Sequence, residues 1–502
     1  MRRDWPAIID GEAVWTGRSF RVDEPATGEA LATVASCAEN EVSHAIAAAH
    51  RAFESDWRWR TGRERGAILQ AAAQLMRVHR DELGRLETLE TGKPLHQSVG
   101  FDMVAAADAF ALYGGLSESL AGQVLPQGPI LSYTIMEPYG VVGVILPFNW
   151  PPIHLAVKIA PALAAGNTVV VKPAEQAPLT VLRSVEILNE VFPPGVINVV
   201  PGDGPVAGSA LVADERVRKI TFTGSTPTGR AVLRAAAENL TPATLELGGK
   251  NPLLVFDDAD IDLATVGAVE GMFFNQGEAC TAASRILVHE RVMPEFLARF
   301  AAAVGRLRVG DGLDEATDLG PMVTRAQQER VLEYVRIGLA EGARVLVQGE
   351  VPDDPRLRGG FFVAPTVLVD VKPHMRVAQE EIFGPVAVVM SFTDEDEAVS
   401  LANRSEYGLV AAVYTREMVR AQRVARHFAS GVVFINNYHR GFLGTPFGGV
   451  GASGYGREQA VTAISEFAQP KTVRIPSGIG TVPMWEAARR VCEPERTTEE
   501  ET

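Results

Sequence analysis

Cysteine is scarce in this chain. Cys37, Cys280 and Cys492 are the only three in 502 residues, and no two of them form a C-x-x-C pair. An odd, scattered set argues against a disulfide framework and against a zinc site, and points to a reducing, cytoplasmic setting with no metal. Positive charge is also in deficit. The 47 Lys and Arg face 62 Asp and Glu, for a formal net charge of −15. Nucleic acid and anionic membranes both call for clustered cations, so neither is expected as a partner. Long apolar runs are missing as well. The start, "MRRDWPAIIDGEAVWTG", is basic but lacks the apolar core of a signal peptide. The most apolar stretch, "YGVVGVILPFNWPP", is broken by Gly and Pro and is too short to span a bilayer. No internal repeat is found.

What is present is ordinary globular material, 46% hydrophobic and 22% charged. At roughly 150 residues per domain, the length implies two to four domains. The first third reads as helical. "NEVSHAIAAAHRAF" and "TGRERGAILQAAAQLMRVHRDEL" carry apolar residues at three- and four-residue steps, with Asn40 and Thr61 as expected caps. "ILSYTIMEPYGVVGVIL" reads as a hairpin or a long bent strand pair around Pro-Tyr-Gly. From Asn167 to Gly249 short apolar strands ("NTVVVKP", "VINVVPG", "RKITFTG", "ATLELGG") alternate with helical segments. Such alternation implies a parallel sheet covered by helices, with ligands at the carboxyl ends of its strands. A second alternating α/β region runs from about Asn251 to "GVVFINNY", and "ISEFAQPKTVRIP" reads as a last strand. The end, "CEPERTTEEET", is acidic and nearly free of apolar residues, so it is expected to be disordered.

Several stretches carry groups suited to chemistry. "TFTGSTPTG" ends a strand and opens a helix, with Gly224 at the turn, Ser225 or Thr226 as cap and Pro227 in the first turn. Such a helix start offers free N–H groups to a pyrophosphate. "PGDGPVAG" places Gly202, Gly204 and Gly208 in a related but irregular pattern. In "VVVKPAEQ", Lys172 and Glu175 sit just past a buried strand, where a carboxylate can accept from ribose hydroxyls. "LELGGKNP" ends a strand on Glu246, which a dry setting would turn into a general base. Asn149 in "ILPFNWPP" offers an amide that can donate to an oxyanion. Cys280, in "FFNQGEACTAASR", is core filler, a metal ligand or a nucleophile, and its own stretch does not decide which.

Taken together, "PFNWPP", "VVVKPAEQAP", "FTGST", "LELGGKNP", "FFNQGEACTAASR", "EEIFGPV" and "PFGGVGASGYGRE" resemble the aldehyde dehydrogenase superfamily, in its order and spacing, from about residue 5 to about residue 475. The resemblance implies an α/β protein with a Rossmann-like parallel-sheet cofactor domain (1–118 and 139–248), a second α/β catalytic domain (249–450) and a small β oligomerisation element (119–138 and 465–482). An acidic tail (483–502) would follow. It implies Cys280 as the catalytic thiol and Glu246 as the base, with Asn149 and the Cys280 N–H as oxyanion donors. Lys172, Glu175, Gly204, Phe222, Gly224, Ser225, Gly229, Gly248, Glu381 and Phe383 would bind NAD. Trp150, Ile153, Val157, Phe274, Arg440 and Phe442 would approach the substrate, with walls that suit an apolar or aromatic aldehyde. Arg440 is either a clamp for a distal carboxylate or a solvated loop arginine. The chain departs from the common family pattern at "GEACTAAS" and "PFNWPP", which alters pocket walls and keeps the chemical groups. The implied reaction is oxidation of an aldehyde to a carboxylic acid through a Cys280 thiohemiacetal and thioester, in a homodimer or homotetramer. Two alternatives are a CoA-acylating relative, which would lack the glutamate base, and a non-catalytic structural protein on the same fold, which would lose a catalytic group.

Overall fold

The computed structural model describes residues 2–441 and 443–492; Met1, Phe442 and residues 493–502 lie outside them. Helix Gly62–Val78 shows how the periodicity is used. Gly66, Leu69, Ala72, Ala73 and Met76 form its buried face. The Thr61 hydroxyl accepts from Glu64 N–H, and the Glu64 carboxylate accepts from Thr61 N–H in return. The cap expected at Asn40 is not used. Helix Glu39–Ser55 already includes Asn40, and the Glu41 carboxylate satisfies the Ala38 N–H instead.

Five parallel strands form the centre of an eight-stranded sheet. In spatial order they are Ala243–Glu246, Val217–Thr223, Val141–Ile145, Thr168–Lys172 and Ile197–Val199. Every residue of Val141–Ile145 and Thr168–Lys172 is buried, as a sheet covered by helices on both faces requires. Antiparallel strands close both sides. Ala7–Ile9 and Glu12–Val14 lie at one edge, and Gly454–Tyr455 lies at the other, with Gly454 opposite Glu246. The glycine-rich segment near residue 450 thus reaches back over the strand that ends in the expected base.

A seven-stranded sheet follows. Thr366–Val369, Val386–Phe392, Arg285–His289, Pro252–Val255, Val410–Tyr414 and Val432–Ile435 run parallel, with Arg344–Gln348 antiparallel at one edge. Cys280 sits on the segment that leads into strand Arg285–His289 of this sheet.

The hairpin expected around Pro-Tyr-Gly does not form. Ile130–Pro138 pairs with Val124–Gln127 and Ala468–Pro476 in a separate three-stranded antiparallel sheet, while Val141–Ile145 enters the eight-stranded one. Gly140, at φ +121°, lets the chain pass from one sheet to the other. The turn signal marked a change of direction, whereas the partner strand lies near the other end of the chain. Within the expected tail, Glu486–Cys492 forms a short exposed helix, and the rest of "CEPERTTEEET" lies outside the described residues.

The helical run Leu95–Leu116 is by length and composition apolar enough to cross a membrane. It packs instead against helices Gly62–Val78 and Pro151–Ala164, burying Met103, Ala106, Ala107, Phe110 and Tyr113. Its π-helical start, Ser98–Asp102, places Asp102 in the interior.

Candidate active site

A cleft of about 800 Å3 opens at the carboxyl ends of the parallel strands of the first sheet and ends at Cys280. Lys172 and Glu175 stand together at one part of its wall, the lysine Nζ donating to Glu175 Oε2 at 2.9 Å. Gly204 and Phe222 line the same cleft. So do Gly224 and Ser225, at the start of helix Thr226–Glu238, where the Ser225 hydroxyl accepts from Thr228 N–H. Gly248, Glu381 and Phe383 line it as well. A side chain at Gly248 would collide with the Glu381 carboxylate, which also accepts from Gly249 N–H at 2.9 Å. Gly229 does not line the cleft. A Cβ there would fall 2.6 Å from Leu247, so this glycine lets the helix approach the sheet.

The thiol is held by its backbone. Asn275 and Gln276, just ahead of it, adopt left-handed conformations at φ +54° and +45°, a strain that persists only where surrounding contacts enforce it. Asn251 Nδ2 donates to the carbonyls of Cys280 and Ala282, both at 2.8 Å. Asn149 Nδ2 donates to the Glu278 carbonyl at 3.0 Å, which leaves its second N–H available. Burial pushes the Cys280 thiol up, and the charges of Glu381 and Glu246 push it further; Arg440 and the Thr281 N–H oppose this. Cys37 is also buried and is pushed up to about 12, chiefly by that burial.

Glu246 lies under the cleft, with neither carboxylate oxygen hydrogen-bonded to the protein. Burial raises its pKa well above the usual carboxylate range, the Glu458 charge adds to this, and Lys158 and Arg457 lower it. Lys158 pairs with Glu458, and Thr221 Oγ1 bridges them at 3.0 and 3.2 Å. The sequence reading missed this pair. Its only trace is a lone lysine in the apolar run "PPIHLAVKIAP".

A second buried charge cluster was also missed. Lys93 Nζ contacts Asp102, Glu87 Oε1 at 2.9 Å and the Asn149 carbonyl at 2.8 Å, and it lies 5.6 Å from the centre of the Trp150 ring. Asn275 Nδ2 donates to the same Asn149 carbonyl at 3.1 Å. Close by, burial raises Glu278 to about 8, against bonds from Val323 N–H and Gln276 that lower it, so its carboxyl is largely neutral at neutral pH.

The residues expected at the substrate divide. Trp150, Ile153 and Phe274 pack in one apolar cluster with Cys280, and Phe101 meets Phe274 edge-on at 5.3 Å. His154, not singled out in the sequence, is buried beside Trp150, and burial together with Lys158 and Lys93 lowers its pKa well below the ordinary value. Val157 is placed elsewhere. It is 2% exposed and belongs to the core of the first sheet and its helices. Phe442 lies outside the described residues. Arg440 is half-buried and bonded within the protein. Its Nε donates to Thr281 Oγ1, and its Nη2 donates to the carbonyls of Glu270 and Gly271. Among the described residues, no group of three or more His, Cys, Asp or Glu is placed to hold a metal ion.

Comparison with known proteins gives one answer. The sequence pattern of the aldehyde dehydrogenase family matches residues 14–473. The aldehyde dehydrogenase citD of Monascus ruber is 50% identical over 475 residues, covering 95% of this chain and 94% of the relative. Among solved structures, PnpE from Pseudomonas sp. WBC-3 superposes with a TM-score of 0.94 at 41% identity, covering 97% of this chain and 100% of the other. The betaine aldehyde dehydrogenase of Staphylococcus aureus, solved with NAD+, superposes with a TM-score of 0.92 at 38% identity, covering 96% of both chains. With the match running almost end to end in both sequence and structure, the chain belongs to the aldehyde dehydrogenase family and is an aldehyde-oxidising enzyme.

Proposed function

We propose that the enzyme oxidises an apolar or aromatic aldehyde to its carboxylic acid with NAD, through a thioester on Cys280 hydrolysed by water that Glu246 activates. One arrangement carries this reading: a thiol at the end of a cofactor-sized cleft, with the Asn149 amide bonded into its loop and a dry carboxyl, Glu246, close enough to perturb it.

The cleft fits the cofactor. Its volume is in the range of small-molecule sites. Glu175 offers a carboxylate to ribose hydroxyls, the helix start at Ser225 offers N–H groups to a pyrophosphate, and Glu381, packed on bare Gly248, brings a second carboxylate to the cleft. PnpE and the betaine aldehyde dehydrogenase have both been solved with this cofactor. In the reaction, Cys280 sulfur attacks the aldehyde carbon. The free N–H of Asn149 and the Cys280 N–H receive the oxyanion of the thiohemiacetal. NAD, when bound, supplies the two-electron acceptor that turns this adduct into a thioester. Glu246 then takes a proton from water, the hydroxide adds to the thioester carbon, and the acid leaves as the thiol is restored. Trp150, Ile153 and Phe274, packed with Cys280, support an apolar or aromatic substrate. Nε and Nη2 of Arg440 are already bonded within the protein, which supports a role toward its own loop over a carboxylate clamp.

The test is NADH absorbance over a panel of aliphatic and aromatic aldehydes. Activity with NAD should exceed that with NADP, because the Glu175 carboxylate would repel a 2′-phosphate. Glu175→Gln should reduce that preference by about tenfold or more. Activity on no aldehyde, or a preference for NADP, would count against the reading.

The three-stranded sheet supports a subunit-pairing role. Val124, Leu125, Ile135 and Ile475 are exposed on it, and Ala468–Pro476 leaves a strand edge unpaired. A homodimer or homotetramer is expected by light scattering at micromolar concentration; a monomer mass would refute it.

A further inference from the structure

Thr281 follows the reactive Cys280, and two of its groups are held by distant side chains. Its N–H lies against the Cys280 sulfur and favours the thiolate. Its hydroxyl accepts from Arg440 Nε at 3.1 Å, and its carbonyl accepts from the Tyr438 hydroxyl at 2.8 Å. Arg440 is itself held from several directions. Its Nη2 donates to Glu270 O at 3.0 Å and Gly271 O at 2.6 Å, near the end of helix Ile261–Phe273. Its guanidinium stands 5.2 Å from the centre of the Phe274 ring and 5.0 Å from that of Tyr438. Carbonyls at a helix end and the faces of two aromatic rings all favour a cation, and together they leave this side chain little freedom to turn.

The charged groups that act on the Cys280 sulfur are Glu381, Glu246 and Arg440. The two carboxylates oppose a thiolate and the guanidinium favours one. Lys158, Glu458 and Arg457 stand one layer further out and act on Glu246. A thiolate in a dry site is unfavourable unless a positive charge or a donor meets it. Among these groups Arg440 is the cation, and the Thr281 N–H, which Arg440 helps to fix, is the donor.

We propose that Arg440 is a positioning residue for the thiol chemistry: locked between Phe274 and Tyr438 and bonded to Thr281, it keeps the Thr281 N–H on the Cys280 sulfur and holds a fixed positive charge against the carboxylates of Glu246 and Glu381. This rests on Cys280 being the nucleophile. It assigns the arginine to the enzyme's own thiol and not to any charge on the substrate.

The test is the rate of alkylation by iodoacetamide in the cofactor-free enzyme as a function of pH, with the labelled cysteine mapped by mass spectrometry. In Arg440→Met the midpoint of the profile should move up by about one unit. Labelling of Cys280 near neutral pH should then fall about tenfold, while the plateau at high pH stays near the native rate. Arg440→Lys keeps a charge but loses the planar stack and the Nε bond, so its midpoint should lie between the two; it decides the matter if the Met variant does not fold. NAD binding, read by fluorescence, serves as the control for folding, since Arg440 does not line the cofactor cleft. A merely structural role would lower the plateau and leave the midpoint in place, which would overturn the proposal. An unmoved profile would overturn it equally. Label found on Cys37 or Cys492 in place of Cys280 would overturn the assignment of the nucleophile, and the proposal with it.

Discussion

A Glu246→Gln enzyme mixed with NAD and aldehyde should release about one NADH per active site and then turn over about 10²–10⁴-fold more slowly than the native protein. The two proposed steps use different groups, so their variants should fail differently. Cys280→Ala removes the atom that forms the bond to the substrate carbon, and neither burst nor turnover should appear. Glutamine at 246 keeps the size of a side chain that is buried against Gly448, so the cleft and the thiol should survive. What is lost is the carboxylate that accepts a proton from water. Burial and the Glu458 charge raise its pKa well above the usual carboxylate range, and it acts as a base once ionised. Native deacylation should therefore quicken as pH rises through that raised value, and the Gln variant should lose this dependence. Intact-protein mass spectrometry should find the acyl group on Cys280. A CoA-acylating enzyme would instead turn over at its native rate when the Gln variant is given CoA, and a non-catalytic protein would show no burst. An adduct on Cys37 or Cys492, or normal turnover in the Gln variant, would remove the proposed division of labour.

Much of this site could be read before any coordinate was known. Motifs spread from residue 147 to residue 458 converge because Asn149, Lys172, Gly224 and Glu246 follow or end strands of the first sheet, while Cys280 and Glu381 lie on segments that lead into strands of the second. Cys280, Asn149, Lys172, Glu175, Ser225, Gly248 and Glu381 all line one cleft. Short local signals suffice for this, since a strand followed by a glycine turn and a capped helix builds itself from neighbouring residues.

The misses share a different cause. Lys93, Asp102 and Glu87, and likewise Lys158 and Glu458, are buried charges whose partners are distant in sequence or on another turn. In a string of letters a charge in a helix reads as a solvated face, because the cost of burying it is offset only by a partner that the string does not reveal. Arg440 failed in the same way. Its surroundings, Thr281, Phe274 and the carbonyls of Glu270 and Gly271, come from more than 150 residues away, and without them the local sequence offers only a solvated loop or a substrate clamp. The pairing of Ile130–Pro138 with Ala468–Pro476 is the backbone version of this problem.

Replacing Lys93 with methionine should be among the most destabilising single changes in the molecule and should also slow the chemistry. The ammonium is 1% exposed and faces Asp102 and Glu87, both fully buried. Burial alone would lower its pKa, but the two carboxyl groups more than reverse this, so it stays charged at neutral pH. Burial, then the charge of Asp102, raises Glu87 well above the usual carboxylate range, and Lys93 opposes this. Methionine fills similar volume but leaves the acids without a counter-ion. Breaking a buried pair in this way costs about 3–5 kcal/mol. A further loss falls on function. The Asn149 carbonyl would keep only the donor from Asn275, so the amide proposed for the oxyanion would be less firmly placed. Expected results are a lower midpoint in urea, a kcat reduced more than KM is raised, and NAD binding close to native. Adding Asp102→Asn to Lys93→Met separates the two effects. The second change removes the unpaired charge, so part of the stability should return, while kcat should stay low because the Asn149 anchor is still missing. A Lys93→Met enzyme with native stability would show that the cluster relaxes at little cost. Recovery of kcat in the double variant would show that Lys93 acts through stability alone and that Asn149 needs no such anchor.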